Sequence, residues 1–274
     1  MSPPLLLIKL GGTEGVDFSA ICQDVYTLHQ AGQPLVIVHG GSAEANALGE
    51  ALGRPPRFVT SPSGFTSRYT DRATLEVFLM AVNGKVNGLL VEQLRGLGVD
   101  AFGLSGLDGG LLQARRKSRI RIVENGRQKV LRDDYTGKIQ RVRVALLQSL
   151  LALGCVPVVA PLAASEKGEA LNVDADRAAA ALAAALGAHT LLLLTAAPGL
   201  LRAFPDESSL IPRLPPHRLE QAIGYAQGRM KKKVLAAQEA LQSGVQRVII
   251  ADGRLPNPIS KALDGAGTHV GGTE

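Results

Sequence analysis

The chain has 274 residues, 46% apolar and 20% charged, with 30 basic against 24 acidic side chains for a formal charge of +6. This composition excludes wholesale disorder and is ample for a buried core, in one large α/β unit or two lobes sharing a site. Cys22 and Cys155 are the only cysteines, and no CxxC or Cys/His spacing occurs. A disulfide scaffold and a zinc site are therefore excluded, and the reducing cytosol is the default compartment.

The first apolar run, residues 5–8, is cut by Lys9; it is far too short for a signal-peptide core and reads as a strand. A helical period follows over residues 18–30, then a strand at 35–38 and a helix at 43–52, the rhythm of a parallel βαβ unit. The Pro-, Gly- and Ser-rich residues 54–67 break that rhythm before a helical region at 71–97. Residues 111–131 read as a β-hairpin turning near Asn125-Gly126. A helix at 142–153, a strand at 156–159, a helix from about Asp174, a strand at 191–194, a helix at 231–242 and a strand at 247–251 complete the pattern. Residues 178–201 carry no charge and are long enough to cross a bilayer. Gly187, His189, Thr190, Thr195, Pro198 and Gly199 interrupt them, so helix, turn and buried strand are expected and no membrane span. Strands made of Val, Ile and Leu imply cover on both faces. The expectation is a three-layer α/β sandwich around a mainly parallel sheet, with a basic β-hairpin insertion. The softest composition, residues 161–168, marks the boundary between lobes 1–166 and 167–274.

Two strands end in paired glycines, Lys9-Leu10-Gly11-Gly12 and His39-Gly40-Gly41-Ser42. At the carboxyl edge of a parallel sheet such loops let backbone N–H groups approach an anion, although a double glycine also makes a plain turn. Neither GxxxxGK[ST] nor GxGxxG occurs. Asn172-Val173-Asp174-Ala175-Asp176 enters a helix, where either aspartate suits an N-cap. Gly228-Arg229-Met230-Lys231-Lys232-Lys233 places three lysines at a helix start, against the helix dipole; they form either a local site or a solvated basic face.

With Ser67-Arg68-Tyr69-Thr70-Asp71, these motifs occur in an order that resembles the amino acid kinase family, specifically its acetylglutamate kinase branch, across essentially the whole chain. Within it the HGGS loop, the NVDAD segment and Gly103-Leu104-Ser105-Gly106-Leu107-Asp108-Gly109 are most similar to carrier-dependent members. Those members phosphorylate the side-chain carboxylate of 2-aminoadipate while its amino group is tied to a small acidic carrier protein, in lysine biosynthesis. The alternative is an acetylglutamate kinase of arginine biosynthesis acting on free N-acetylglutamate. The resemblance implies catalytic roles for Lys9 and Lys233 on the transferring phosphoryl group, with Asp176 fixing both ammonium groups. It implies an acceptor pocket of Gly41, Ser42, Arg68 and Asn172, although Arg68 also suits a helix-capping neighbour. It implies ATP contacts from Gly11, Gly12 and Gly40, from Thr195 to Leu200 including Gly199, and from Gly228 to Lys233 including Met230 and Lys231. ATP would bring Mg²⁺ with it, with no dedicated protein metal site. His39 is expected as a loop residue with no proton to move. The resemblance further implies a homodimer through the N-terminal lobe. Because the first strand starts near Leu5, insensitivity to arginine is expected.

Between Arg115 and Arg132, eight basic residues face one acid, Glu124, so the rest of the chain sums to about −1. Such a patch steers an acidic macromolecule. In the carrier-linked reading Arg115, Arg116, Lys117, Arg119 and Arg121 dock the carrier; a solvated hairpin is the other reading. A basic nucleic-acid-binding protein is the remote rival. With 4% aromatics, no Trp and no aromatic residue interleaved among these cations, no nucleic-acid partner is expected.

Overall fold

The computed structural model describes residues 3–12 and 18–272; residues 1–2, 13–17 and 273–274 of the two expected lobes lie outside the described residues. The elements run β1 (Leu6–Leu10), α1 (Phe18–Gln30), β2 (Leu35–His39), α2 (Ser42–Ala51), β3 (Phe58–Thr60), β4 (Thr66–Arg68), α3 (Arg72–Phe78), a π-helical stretch (Leu79–Val86), α4 (Asn87–Gly96) and β5 (Ala101–Ser105). There follow β6 (Leu112–Arg116), β7 (Arg119–Glu124), β8 (Arg127–Arg132), β9 (Gly137–Val142), α5 (Ala145–Ala152), β10 (Val156–Ala160), β11 (Leu162–Ala164), β12 (Ala170–Asn172) and α6 (Ala175–Leu186). The last are β13 (Thr190–Thr195), β14 (Arg213–Leu214), α7 (Leu219–Tyr225), α8 (Arg229–Gln242), β15 (Arg247–Asp252), α9 (Pro258–Leu263) and β16 (Thr268–Gly271).

Eight strands form the central sheet in the order β14-β16-β15-β13-β1-β2-β10-β5. Every pairing is parallel except β15 with β16. Alternate side chains build two cores, as strand geometry requires. Leu6, Ile8, Leu10, Leu35 and Ile37 pack with Ile21 and Val25 of α1, Leu90 and Leu94 of α4, and Ile259 of α9. Leu7, Val36 and Val38 pack on the other side with Leu147 of α5, the alanines of α6 and Val234 of α8. This is the three-layer sandwich around a mainly parallel sheet that the apolar runs imply.

β1 pairs with β2 on one side and β13 on the other, so the sheet is continuous through the expected lobe boundary. The loops leaving β1 and β2 open on the same carboxyl edge, where ligands bind in open α/β sheets. The uncharged stretch at 178–201 resolves into α6, closed by Gly187 in the left-handed region (φ 66°), and the buried strand β13. Among the described residues one helical run, Arg72–Gly96, is long and apolar enough to cross a bilayer. Here its Leu75, Val82, Val86, Leu90 and Leu94 are buried in the cores.

Two expectations are corrected. Asn125 and Gly126 both have positive φ (52° and 73°), as a tight hairpin turn requires, and join β7 to β8. Residues 111–131 are nevertheless not one hairpin. β6 leaves it to pair with β9 and β11, while β7 and β8 join β3 and β4 in a second four-stranded sheet. The helix expected from Val142 starts at Ala145, because Val142 ends β9 opposite Leu112.

Candidate active site

At the carboxyl edge of the sheet three charged side chains meet out of solvent. Lys9 lies on β1, Asp176 in the first turn of α6, and Lys233 one turn into α8, each only 5–6% exposed. Lys9 Nζ lies 2.8 Å from Asp176 Oδ1. Lys233 Nζ donates to both oxygens of the same carboxylate, at 2.9 and 3.1 Å. Burial alone would raise the Asp176 carboxyl, but the Lys233 and Lys9 ammonium groups hold it well below the carboxylate range. Burial pushes Lys233 down to about 8, against the upward pull of Asp176 and with added repulsion from Lys9. Two cations against one anion leave a buried surplus of positive charge, which an incoming anion would neutralise.

The two glycine loops flank this triad and touch backbone to backbone. A Cβ on Gly12 would collide with the Gly41 nitrogen, and one on Gly40 would lie 2.8 Å from the Gly12 nitrogen. A Cβ on Gly41 would come within 2.8 Å of Val82 Cγ2. Glycine is needed here for the contact between the two loops. Ala43 N–H donates to the Gly12 carbonyl at 3.1 Å, and among the described residues no side chain caps the start of α2. The positive end of that helix therefore faces the cleft.

His39 is the buried fastener of the second loop. Asn87 Nδ2 lies 3.0 Å from its Nε2 and also donates to the Val158 carbonyl at 2.9 Å, while Nδ1 lies 2.7 Å from the Gly40 carbonyl. An amide donor on one nitrogen and a carbonyl acceptor on the other require the neutral ring protonated at Nδ1. Complete burial pushes its pKa down to about 4, the Gly40 bond opposing and Lys9 reinforcing that shift. This agrees with a histidine held by loop hydrogen bonds.

A cleft of about 1710 Å³ opens over the triad, lined by Gly11, Gly12, Gly40, Gly41, Ser42, Arg68, Asn172, Thr195, Gly228 and Lys231. Beside it a slot of about 370 Å³ brings together Gly199, Leu200, Gly228 and Met230 with Phe204, Tyr225 and Ala226, which sequence reasoning missed. Its apolar walls and aromatic rings suit a flat heterocycle.

On the opposite side Arg68 is 8% exposed. Its Nη2 donates to the Ser42 carbonyl and hydroxyl, each at 3.2 Å, and to Asn46 Oδ1 at 2.5 Å. Its guanidinium also lies 5.1 Å from the centre of the Phe58 ring. Asp71, rather than Arg68, caps the neighbouring helix by accepting from Thr74 N–H at 2.8 Å. Asn46 was findable, since it lies one helical turn beyond Ser42 on the same face. Asn172 donates to Thr70 Oγ1 at 3.1 Å, and Thr70 N–H donates to buried Asp134. Asp174 accepts from the Asp176 and Arg177 N–H groups as an N-cap, and lies 3.6 Å from Lys232.

The cations expected to form one docking patch are divided. Arg119 and Arg121 project from exposed β7, and Arg115 is exposed on β6. Arg116 is committed elsewhere: it pairs with Glu169 at 2.9 Å, donates to the Asp134 carbonyl, and lies 3.5 Å over the Tyr135 ring. Lys117 lines the cleft, its ammonium pushed down by desolvation and by Arg177. Lys138 and Arg141 of β9, outside the sequence patch, line the same cleft.

A model of the amino acid kinase family matches residues 4–252. The chain is 54% identical to the [LysW]-aminoadipate kinase of Deinococcus radiodurans, over 97% of this chain and 91% of that one. It is 50% identical to the [LysW]-aminoadipate kinase of Thermus thermophilus, over 97% of this chain and 100% of that one. Among solved structures, the N-acetylglutamate synthase of Neisseria gonorrhoeae complexed with coenzyme A and N-acetyl-glutamate matches with a TM-score of 0.79 at 27% identity. That match covers 99% of this chain, which spans only 60% of the synthase.

Proposed function

The chain belongs to the amino acid kinase family, and from that premise we propose that it transfers the γ-phosphoryl group of ATP to the side-chain carboxylate of 2-aminoadipate linked through its amino group to a small acidic carrier protein. This is the [LysW]-aminoadipate kinase reaction of lysine biosynthesis. A carboxylate oxygen attacks the γ-phosphorus, the bond to the β-phosphate oxygen breaks, and ADP leaves an acyl phosphate. Both reactants are anions, so the protein's task is to position them and neutralise charge, and no covalent nucleophile is needed.

The observation that carries this reading is the buried Lys9–Asp176–Lys233 cluster between two glycine loops. Lys9 and Lys233 approach the transferring phosphoryl group from different elements, and Asp176 holds both ammonium groups where negative charge develops. Gly11, Gly12 and Gly41 supply backbone donors to the phosphates and the attacking carboxylate, while the Gly40 N–H is taken by the Leu10 carbonyl at 2.9 Å and Gly40 serves the site by letting the two loops touch. The slot at Gly199, Leu200, Gly228 and Met230 takes the adenine, while Thr195 and Lys231 lie along the path to the phosphates. Lys9, Lys138, Arg141, Lys231 and Lys233 line the cleft beside Asp174, Asp176 and Glu239. Such a lining fits a nucleotide that carries its own Mg²⁺ and waters.

In this reading residues 167–274 bind ATP, and residues 1–166 bind the acceptor and carrier. Arg68, oriented by Ser42 and Asn46, takes the acceptor's α-carboxylate, with Gly41 and Asn172 closing the pocket. Arg119, Arg121 and Arg115, with Lys117 at the cleft, meet the acidic carrier; Arg116 supports them through Tyr135. Exposed Met80, Leu89 and Phe102 give the N-terminal half an apolar surface for a homodimer. The setting is the cytoplasm.

Trapping of the acyl phosphate with hydroxylamine, alongside ADP release, tests the reaction. Product from carrier-linked aminoadipate and none from free N-acetylglutamate is expected. Product from free N-acetylglutamate alone would make the enzyme an acetylglutamate kinase.

A further inference from the structure

Two acceptor-pocket residues come from distant strands, Arg68 from the end of β4 and Asn172 from the end of β12. Among the described residues one side chain bonds to both. Thr70 Oγ1 donates to the Arg68 carbonyl at 3.2 Å and accepts from Asn172 Nδ2 at 3.1 Å. Thr70 is fully buried, and so is Asp134, a carboxylate that the phosphoryl transfer does not use.

These groups close into a ring. The Thr70 carbonyl accepts from Tyr135 N–H at 2.7 Å, the Tyr135 carbonyl accepts from Asn172 N–H at 2.9 Å, and the Asn172 side chain returns to Thr70. Asp134 locks the ring from behind. Its carboxylate accepts from Thr70 N–H at 3.2 Å, from Thr136 N–H at 2.8 Å and from the Thr136 hydroxyl. Every polar group of Thr70 is engaged, and a buried network satisfied in this way holds its members in one arrangement.

The ring also has a direction. A hydroxyl carries one proton, and the Arg68 carbonyl, which can only accept, takes it. Towards Asn172 the Thr70 oxygen can then only accept, so the amide turns Nδ2 to it and keeps Oδ1 on the other side. Asn172 lines the cleft, and among the described residues no donor engages its Oδ1. The pocket therefore sets a hydrogen-bond acceptor beside the Arg68 guanidinium, which only donates. In an amide-linked α-amino acid a carboxylate and an N–H leave the same carbon and match that pair.

We propose that Thr70 is a positioning residue for acceptor recognition: its hydroxyl fixes the Asn172 amide so that Oδ1 accepts from the N–H of the acceptor's amide link, while Arg68 holds the adjacent carboxylate. This rests on the acceptor pocket and the carrier-linked reading above. An acceptor joined through an ester oxygen of the same shape would set two oxygens against each other and is rejected.

The test uses the full chain with Thr70→Val, which keeps the shape and removes the hydroxyl, and Thr70→Ser, which keeps the hydroxyl. The Val variant is expected to raise KM for carrier-linked aminoadipate about tenfold with KM for ATP unchanged, and the Ser variant to stay close to wild type. The orientation itself is read by giving each enzyme the carrier bearing aminoadipate through an amide or 2-hydroxyadipate through an ester. In kcat/KM the wild type and Thr70→Ser should prefer the amide at least about tenfold, a preference that largely disappears in Thr70→Val. Thr70→Ala, which removes the same hydroxyl without a branched replacement, repeats the measurement if the Val variant fails to fold. An unchanged KM for the carrier-linked substrate, an equal rise in KM for ATP, or equal use of amide and ester by the wild type would overturn the assignment. A wild-type enzyme that phosphorylates N-acetylglutamate but not carrier-linked aminoadipate would instead sink the functional reading beneath it, and the amide and ester forms of that free acceptor would then decide the role of Thr70.

Discussion

The centre and the rim of the cleft are both rich in lysine and arginine, and they differ in solvent. At the centre, Lys9, Asp176 and Lys233 have side chains exposed by less than a tenth, with every bond at 2.8–3.1 Å. At the rim, Arg57 and Lys129 reach Glu124 at 3.0 and 2.5 Å, but those side chains are 38–52% exposed. The same charges are strongly coupled in one place and screened in the other. The centre therefore holds its charges in one fixed arrangement, whereas charges at the rim can change without loss of fold.

The sharpest way to break that contrast is to remove one charge from each region. Asp176→Asn leaves two buried ammonium groups side by side and should cost about 3–5 kcal/mol in urea unfolding at pH 7, with loss of turnover. Glu124→Gln should leave the unfolding midpoint unchanged within error. Next in size, Gly12→Ala forces the two loops apart and should destabilise by about 1–3 kcal/mol while raising KM for ATP. An unaltered melting curve and KM would show that the loops need not touch.

The centre should also respond to pH in a defined direction. The Lys233 ammonium is held near 8, so the working charged form is lost as pH rises through that value. kcat/KM for ATP should therefore fall about tenfold per pH unit above about 8. A profile flat to pH 10 would exclude Lys233 as the titrating group. The smallest effect belongs to the rim: Arg119→Glu with Arg121→Glu should raise KM for the carrier-linked substrate several-fold at low ionic strength and remove most of its salt dependence. Unchanged salt dependence would take β7 out of carrier docking.

The layers of the fold were legible because β1, β2, β10 and β13 are each built on a short apolar run and α1 has a clean helical period. β5 was not legible, since Gly103 lies within it. That glycine is there because a Cβ would collide with Asn87 Oδ1, a contact made across 16 positions of chain. The short strands β3, β4, β11 and β12 are three residues each and are fixed by distant partners, leaving no periodicity to read. The site followed the same rule. Lys9, Asp176 and Lys233 sit in compact motifs, whereas Phe204 and Tyr225 are isolated aromatics that become a slot only when the loops meet.

The most direct test of the central claim is kcat at saturating ATP and carrier-linked substrate for Lys233→Met, with ATP affinity measured on the same protein. A loss of at least about 100-fold in kcat with ATP still bound is the result this account predicts. A kcat within tenfold of wild type would contradict it and remove the buried cluster from the chemistry.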